Sequence, residues 1–376
     1  MNLCRSILAP GALLCILAVG SAWAAQPTPN TLSPQEISAG WLLLFDGETT
    51  FGWKAAEGQP WTASGGELSA PKGAPSTFAT TTEFAGLLLK AEVKLERGAK
   101  AWIQVRRQSP AQSLGVPLAD PIGAQRAWGR WTPVQIKVLD RKVDILIGRR
   151  ASRPTAASLP LRGAVALRSD GKADVRFRSI KLQPLGLESI FNGKDLTGWN
   201  VLPRGRSVYS VTPEGWLNVK NGSGDIQTTR TWADFVLQLD VFSNGDHLNS
   251  GIFFRAEPGR FWSGYESQIR NQWEGDDRTK PIDFGTGGIY NHQPARKVVS
   301  SDREWFTKTI VAHGPHIAVW VNGYQVSDWT DTRPPSDNAR AGYRAKAGVI
   351  SIQGHDPTTD LSFRNIRIAE LPPPAS

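Results

Sequence analysis

The stretch NSGIFFRAEPGRFWSGYESQIRN, Asn249 to Asn271, sets an arginine, a glutamate and a glutamine on two short runs that alternate apolar and polar residues. A carboxylate, a guanidinium and an amide together can move a proton, steady a developing negative charge and hold hydroxyl groups. In an extended strand, side chains at i, i+2 and i+4 share a face. That count groups Asn249, Gly251, Phe253 and Arg255, then Glu266, Gln268 and Arg270, and near the C-terminus Ser351, Gln353 and His355. If these strands are neighbours in a curved sheet, Arg255, Glu266, Gln268, Gln353 and His355 converge on one concave surface. Glycines at 251, 264, 287, 288 and 354 would let a ligand approach the backbone, and Trp262, Tyr265, Tyr290 and Trp305 sit beside the polar set, with His292 close by in TGGIYNHQ. The plain alternative is a solvated sheet face whose ion pairs contribute little.

Other groupings point less sharply. Asp246, His247 and Asn249, and again His355, Asp356 and Asp360, offer donors suited to a hard cation. Neither has the spacing of an EF-hand loop, and Asp and Asn in such runs ordinarily make turns, so no metal ligand is assigned and a divalent cation stays open as a cofactor. His313 and His316 bracket HGPH, which reads as a hairpin turn with exposed histidines. No G-x-S-x-G, Walker or G-x-G-x-x-G sequence occurs in the strand and helix context it needs. Both cysteines, Cys4 and Cys15, fall in the first 24 residues, which leaves the rest of the chain without a thiol nucleophile or thiolate metal site.

Those first residues, MNLCRSILAPGALLCILAVGSAWAAQ, combine Arg5, an apolar run from Ile7 to Val19 and a small-x-small ending at Ala22 to Ala24. They read as a secretory signal cleaved after Ala24, with a periplasmic or secreted product and no membrane anchor. The net charge of +9 comes from scattered Lys and Arg with no basic cluster, which argues against nucleic acid as a partner. Fifteen tryptophans in a strand-rich chain favour carbohydrate, because flat indoles stack on the apolar faces of sugar rings.

The elements that position these residues come in two copies. LLFDGETTFGW (Leu43 to Trp53) and SIFNGKDLTGW (Ser189 to Trp199) share Phe, Gly, Gly and Trp at equal spacing, and GAVALRSDGKADVRFRSIKL parallels GVISIQGHDPTTDLSFRNIRI at the other end. Between them run short period-two strands separated by Gly, Asn, Asp and Pro, with only a turn's worth of helix near Ser33 to Gly40. The fold expected is all-β, two antiparallel sandwiches or jelly rolls in tandem. The divisions expected are residues 1–24 as signal, 25–40 as linker, 41–185 as a shortened first copy and 188–371 as the second. Arg106 falls opposite Arg255 and Trp131 opposite Trp305, yet 25 positions separate the first pair and 50 the second. The extra length carries GYESQIRN and TGGIYNHQ, and all five histidines lie in the second copy. The first copy is thus expected to lack the glutamate strand, and chemistry is expected only after residue 188.

FNGKDLTGW, NSGIFFR, GYESQI, TGGIYN, EWFTKTIVAHGPHIAVWVNG and GVISIQGHDPTTDLSFRNIRI, in that order, resemble the 3-keto-disaccharide hydrolase domain family across 188–371. The resemblance implies a concanavalin A-like jelly roll that acts on glycosides whose glucosyl unit a partner dehydrogenase has first oxidised at C3. Its motifs map to Asn249–Arg255, Gly264–Ile269, Gln353 and His355, so Glu266, His355 and Arg255 are the expected catalytic residues and Gln268, Asn249 and Gln353 expected substrate-binding ones, to which Tyr290, Trp262, Trp305 and His292 are added from their place beside the polar strands. A C3 ketone acidifies the C2 proton, so a base can remove it and the glycosidic oxygen can leave C1 by elimination before water adds. Glu266 is the expected base or acid and Arg255 its holder or the enolate stabiliser, with His355 making the complementary proton transfer. A direct glycosidase needs two carboxylates across the bond, and only Glu266 is clearly placed. A non-catalytic carbohydrate-binding protein using the same face is the competing reading, and a scaffold domain of a surface assembly a third.

Overall fold

The computed structural model describes residues 28–118, 128–152 and 159–374. The expected signal segment lies outside them. One short helix, Pro34–Ser38, begins on a capping box in which Ser33 and Glu36 exchange hydrogen bonds. Everything else regular is strand, so the chain is all-β.

Two sandwiches of the same plan follow one another. In the first, an eight-stranded antiparallel sheet faces a five-stranded one ordered Trp53–Glu57, Ser76–Phe84, Gly163–Ser169, Ala101–Arg107, Leu114–Pro117. In the second, an eight-stranded sheet faces a five-stranded one ordered Trp199–Val201, Gly224–Thr228, Val349–Gly354, Ser250–Ala256, Tyr265–Ile269. The middle strands of the first eight-stranded sheet alternate in sequence because one face packs on the core and the other is wetter, whereas Phe235–Ser243, Trp305–His313 and His316–Val321 of the second are buried at nearly every residue. In the second copy Leu237, Leu239, Val241, Ile310, Val319, Phe363 and Ile368 fill the space between sheets against Ile226, Ile252, Phe254 and Ile352.

Repeat positions match down to single hydrogen bonds. Trp53 Nε1 donates to the Leu44 carbonyl and Trp199 Nε1 to that of Ile190. Thr80 Oγ1 donates to Thr82 O and accepts from Val165 N, and Thr228 Oγ1 donates to Arg230 O and accepts from Ile350 N. The Asn322-Gly323 turn joins His316–Val321 to Tyr324–Thr330 with φ of 49° and 74°, the two left-handed residues that a tight hairpin needs.

Two expectations need correction. His313 and His316 do flank a hairpin, but both are buried against the first sandwich: His313 Nε2 accepts from Glu83 N at 3.2 Å, and His316 Nε2 lies 3.3 Å from Thr82 Oγ1. The turn packs on a neighbour that strand periodicity does not reveal. The first copy also keeps a strand where the glutamate strand was expected to be missing. Leu114–Pro117 pairs with Ala101–Arg107 as Tyr265–Ile269 pairs with Ser250–Ala256, with Gly115 at the register position of Glu266. The carboxylate is lost while the strand remains.

Candidate active site

The five-stranded sheet of the second copy sets its polar face in rows. Asp225 lies opposite Gln353, and Gly251 opposite Gln268 on the next strand pair. The following row places Phe253 between Ser351 and Glu266. Gly251 is small for a reason: a Cβ there would come within 2.3 Å of Glu266 Oε1, so the glutamate leans over the glycine into the middle of the face. The first copy has Trp102 at the matching position, its ring under the Arg168 guanidinium at 5.4 Å, and its face carries no such hollow acid.

Above Gly251 is a cavity of about 230 Å³. It is lined by Glu266, Gln268, Asn249, Tyr290, Trp262, Gln353 and His355, together with Ser223, Phe261 and Asp283. Seven residues singled out in the sequence thus meet at one place, from four separate segments of chain.

Glu266 is 5% exposed. Burial pushes its carboxyl up to about 7 against the opposing pull of Arg340 and Lys308, with Asp283 adding to the rise. Arg340 Nη2 stands 3.4 Å from Glu266 Oε2, and its guanidinium lies 4.2 Å from the centre of the Trp262 ring. Lys308 reaches up from the opposite sheet, wholly buried, and donates to the carbonyls of Ser267 and Gln268 at 2.8 Å each. Burial holds its amine well below the usual lysine range. Asp283 Oδ2 accepts from Asn249 Nδ2 at 2.8 Å and from Gln268 Nε2 at 2.9 Å, fixing both amides. Asn249 Oδ1 and Gln353 Oε1 are buried with no partner, two acceptors left for a donor-rich ligand such as a sugar. His355 is more open; its Nδ1 is 2.8 Å from Asp356 Oδ2.

Three expected residues stand elsewhere. Arg255 is fully buried, donating to the carbonyls of Ala233 (2.7 Å), Gly314 (2.8 Å) and Arg344 (3.1 Å) and pairing with Asp234 at 2.9 Å. Its strand bulges between Phe253 and Ala256, and Arg255 itself has φ of 48°, so simple alternation fails there. Trp305 belongs to the eight-stranded sheet, packed on Trp216, Phe242 and Arg364. His292 stacks on Trp329 at 4.5 Å, outside the cavity lining, and burial beside Arg333 holds its imidazole low.

Sequence reasoning missed Arg340, Asp283 and Phe261, all in irregular segments where no period places a side chain. It also missed Asp225, 1% exposed and raised to about 6 by burial. The alternation of Asp225, Ile226 and Gln227 in GDIQT was the available signal for it. Among the described residues no group of three or more His, Cys, Asp or Glu is placed to hold a metal ion. The two loose groups serve other contacts: Asp246 pairs with Arg303, His247 Nδ1 meets the Asn271 carbonyl, and Asp360 binds Asn218 and Asn244.

A jelly roll that gathers a buried carboxyl, unpartnered amide acceptors and aromatic rings on its concave sheet has the makings of a carbohydrate-active domain. Residues 186–369, which span the second sandwich, match the family described as the 3-keto-alpha-glucoside-1,2-lyase-like domain. Among solved structures, the chain is similar to a provisionally assigned glycosyl hydrolase from Parabacteroides distasonis ATCC 8503, with 23% identity over 50% of this chain and 94% of that one and a TM-score of 0.41. A second such structure from the same organism shares 25% identity over 50% of this chain and all of that one, with a TM-score of 0.40. The carbohydrate-binding module CBM66 from Bacillus subtilis shares 15% identity over 47% and 97%, with a TM-score of 0.35. No curated protein matches the chain. No helix among the described residues is long and apolar enough to cross a membrane.

Proposed function

We propose that the second sandwich cleaves 3-keto-glycosides in the periplasm or outside the cell, with Glu266 as the base that takes the C2 proton. The observation that carries this is a nearly buried carboxyl, raised to about 7, in a cavity of about 230 Å³. That space is on the scale of one sugar ring. A base poised near neutrality is the group that abstraction beside a ketone needs. The electrons of the C2–H bond form the enolate, which then expels the C1 oxygen to give a C1=C2 enone. His355, at the cavity edge, donates the proton that the leaving oxygen takes up. Water adding at C1 gives its proton to His355 while Glu266 returns the first proton to C2, which completes hydrolysis and restores both groups; release of the enone before water adds makes the same site a lyase. Arg340, beside Glu266, replaces Arg255 as the cation that steadies the enolate oxygen. The substrate's ketone must come from an oxidation at C3 by a separate dehydrogenase. The first sandwich, with Gly115 in place of the glutamate and Trp102 over its face, serves as a non-catalytic support.

Non-catalytic sugar binding is the second reading, favoured by the solvent-exposed rings of Phe261 and Trp262 at the cavity. Incubation with a 3-keto-glucoside, following aglycone release, separates the two. Turnover is expected, with a loss of at least about a hundredfold in Glu266→Gln. Binding without turnover by the native chain leaves only the second reading, and full activity in Glu266→Gln removes the glutamate from the reaction.

A further inference from the structure

Phe261 and Trp262 are 44% and 47% exposed, the most open aromatic side chains among the described residues. Trp262 has φ of 55°, a left-handed conformation that a bulky side chain rarely adopts. The turn that carries them is gripped from below by one strand. Asp225 Oδ2 accepts from Trp262 N at 3.1 Å, Gln227 Oε1 accepts from Gly259 N at 2.8 Å, and Gln227 Nε2 donates to Arg260 O at 3.1 Å. Asp225 and Gln227 are two apart on Gly224–Thr228, so both point to the same side. The outer end of the grip meets the reacting centre, since Arg340 touches both the Trp262 ring and Glu266.

Hydrophobic rings left in water at the mouth of a polar cavity are otherwise a cost to the free protein. The cavity holds about one ring, so any group joined to that ring must leave across the mouth, where these two side chains stand. A flat group can stack there; a methyl cannot cover an indole.

We propose that Phe261 and Trp262 form a second ring-binding subsite at the mouth of the Glu266 cavity, fixed by Asp225 and Gln227, which takes the substrate's leaving group and favours one with a flat apolar face, an aryl group or a second pyranose. The proposal rests on the reading that the first sugar ring lies against Glu266. Asp225 acts here as a positioning residue, through the backbone of Trp262.

Binding to unoxidised ligands tests the subsite independently of catalysis. Titration calorimetry of the full chain with phenyl glucoside, methyl glucoside and a glucose disaccharide, both anomers of each, is expected to show phenyl glucoside bound about tenfold more tightly than methyl glucoside. Trp262→Ala and Phe261→Ala, at exposed positions where folding is at little risk, are expected to bring that ratio toward one. Asp225→Ala should do the same, whereas a merely structural role for Asp225 would weaken both ligands alike. A disaccharide that behaves like phenyl glucoside assigns the subsite to any flat ring, and one that behaves like methyl glucoside assigns it to aryl groups. A ratio near one in the native chain, a ratio unmoved in both ring variants, or no binding of any of the three overturns the proposal. Absence of keto-glucoside cleavage alongside an intact phenyl preference would overturn the proposed reaction and leave the subsite standing.

Discussion

Glu266 works against the fold that holds it. Its carboxyl rises from 4.5 to about 7 because burial outweighs Arg340 and Lys308. Between those values the folded chain binds a proton that the unfolded chain does not, so this residue's contribution is most favourable below about 4.5 and is lost as pH rises through about 7. At 1.36 kcal/mol per unit the loss approaches about 3 kcal/mol at pH 8. Glu266→Gln is therefore expected to be more stable than the native chain at pH 8, by up to that amount, with the gap closing toward pH 4.5. Denaturant unfolding at the two pH values checks it, and equal gaps at both would mean an unshifted carboxyl. Activity runs the other way: a base must be ionised, so the rate should climb through about 7. Arg340→Met removes a cation that favours the carboxylate and should move that climb to higher pH. A climb that stays in place detaches Arg340 from the proton transfer.

At the scale of the strand, the bulge at Arg255 explains both what the sequence showed and what it concealed. Arg106 in the first copy has φ of 51° and donates to the carbonyls of Ala85, Asp140 and Pro160, as Arg255 does to those of Ala233, Gly314 and Arg344. An arginine repeated in the copy that lacks the glutamate was the signal of a structural post, and alternation alone assigned it to the wrong face. Arg255→Ala leaves three carbonyls without their donor and takes from Asp234 one of its two arginine partners, and should cost about 3–5 kcal/mol in equilibrium unfolding. Arg106→Ala should be costly too, although its three bonds are all to carbonyls; a loss under 1 kcal/mol in Arg255→Ala would contradict the post. Gly251→Ala should do the reverse, leaving stability nearly intact while forcing the Glu266 carboxylate aside and removing turnover. The period-two rule put Glu266 with Gln268 because Tyr265–Ile269 is a regular strand, and it carried Gln353 to His355, one residue past the end of Val349–Gly354, where both line the cavity. Arg340 and Asp283 were illegible for the opposite reason. Their positions are set by Arg333, which holds the carbonyls of Ala339, Arg340 and Gly342, and by turn backbone, neither of which has a period.

For the whole molecule, the two sandwiches share a core. Trp320 of the second is 1% exposed, its ring 6.3 Å from Phe84 of the first and its Nε1 3.1 Å from the Leu43 carbonyl. Val236, Val311, Ala318 and Leu371 join the same apolar cluster as the first sandwich's Leu87, Val138 and Ile180. The polar contacts reach the site strand itself: Asp234 pairs with Arg162 of the first copy at 2.5 Å and with Arg255 at 2.9 Å, and Arg162 also pairs with Glu83 at 3.0 Å. Arg296 crosses to Asp46 at 2.8 Å, and Thr81 donates to Asp328 at 2.7 Å. The linkage gives the first copy a reason to persist without an acid of its own, since its end braces the post behind Ser250–Ala256. Two sandwiches joined only by a linker would melt separately, whereas a continuous core couples them. Scanning calorimetry of the full chain is expected to show one transition, and Trp320→Ala, which opens the shared core at a cost of about 3–5 kcal/mol, should lower it or split it into two. Two resolved transitions in the native chain would mean that the first sandwich braces nothing and that the second stands by itself.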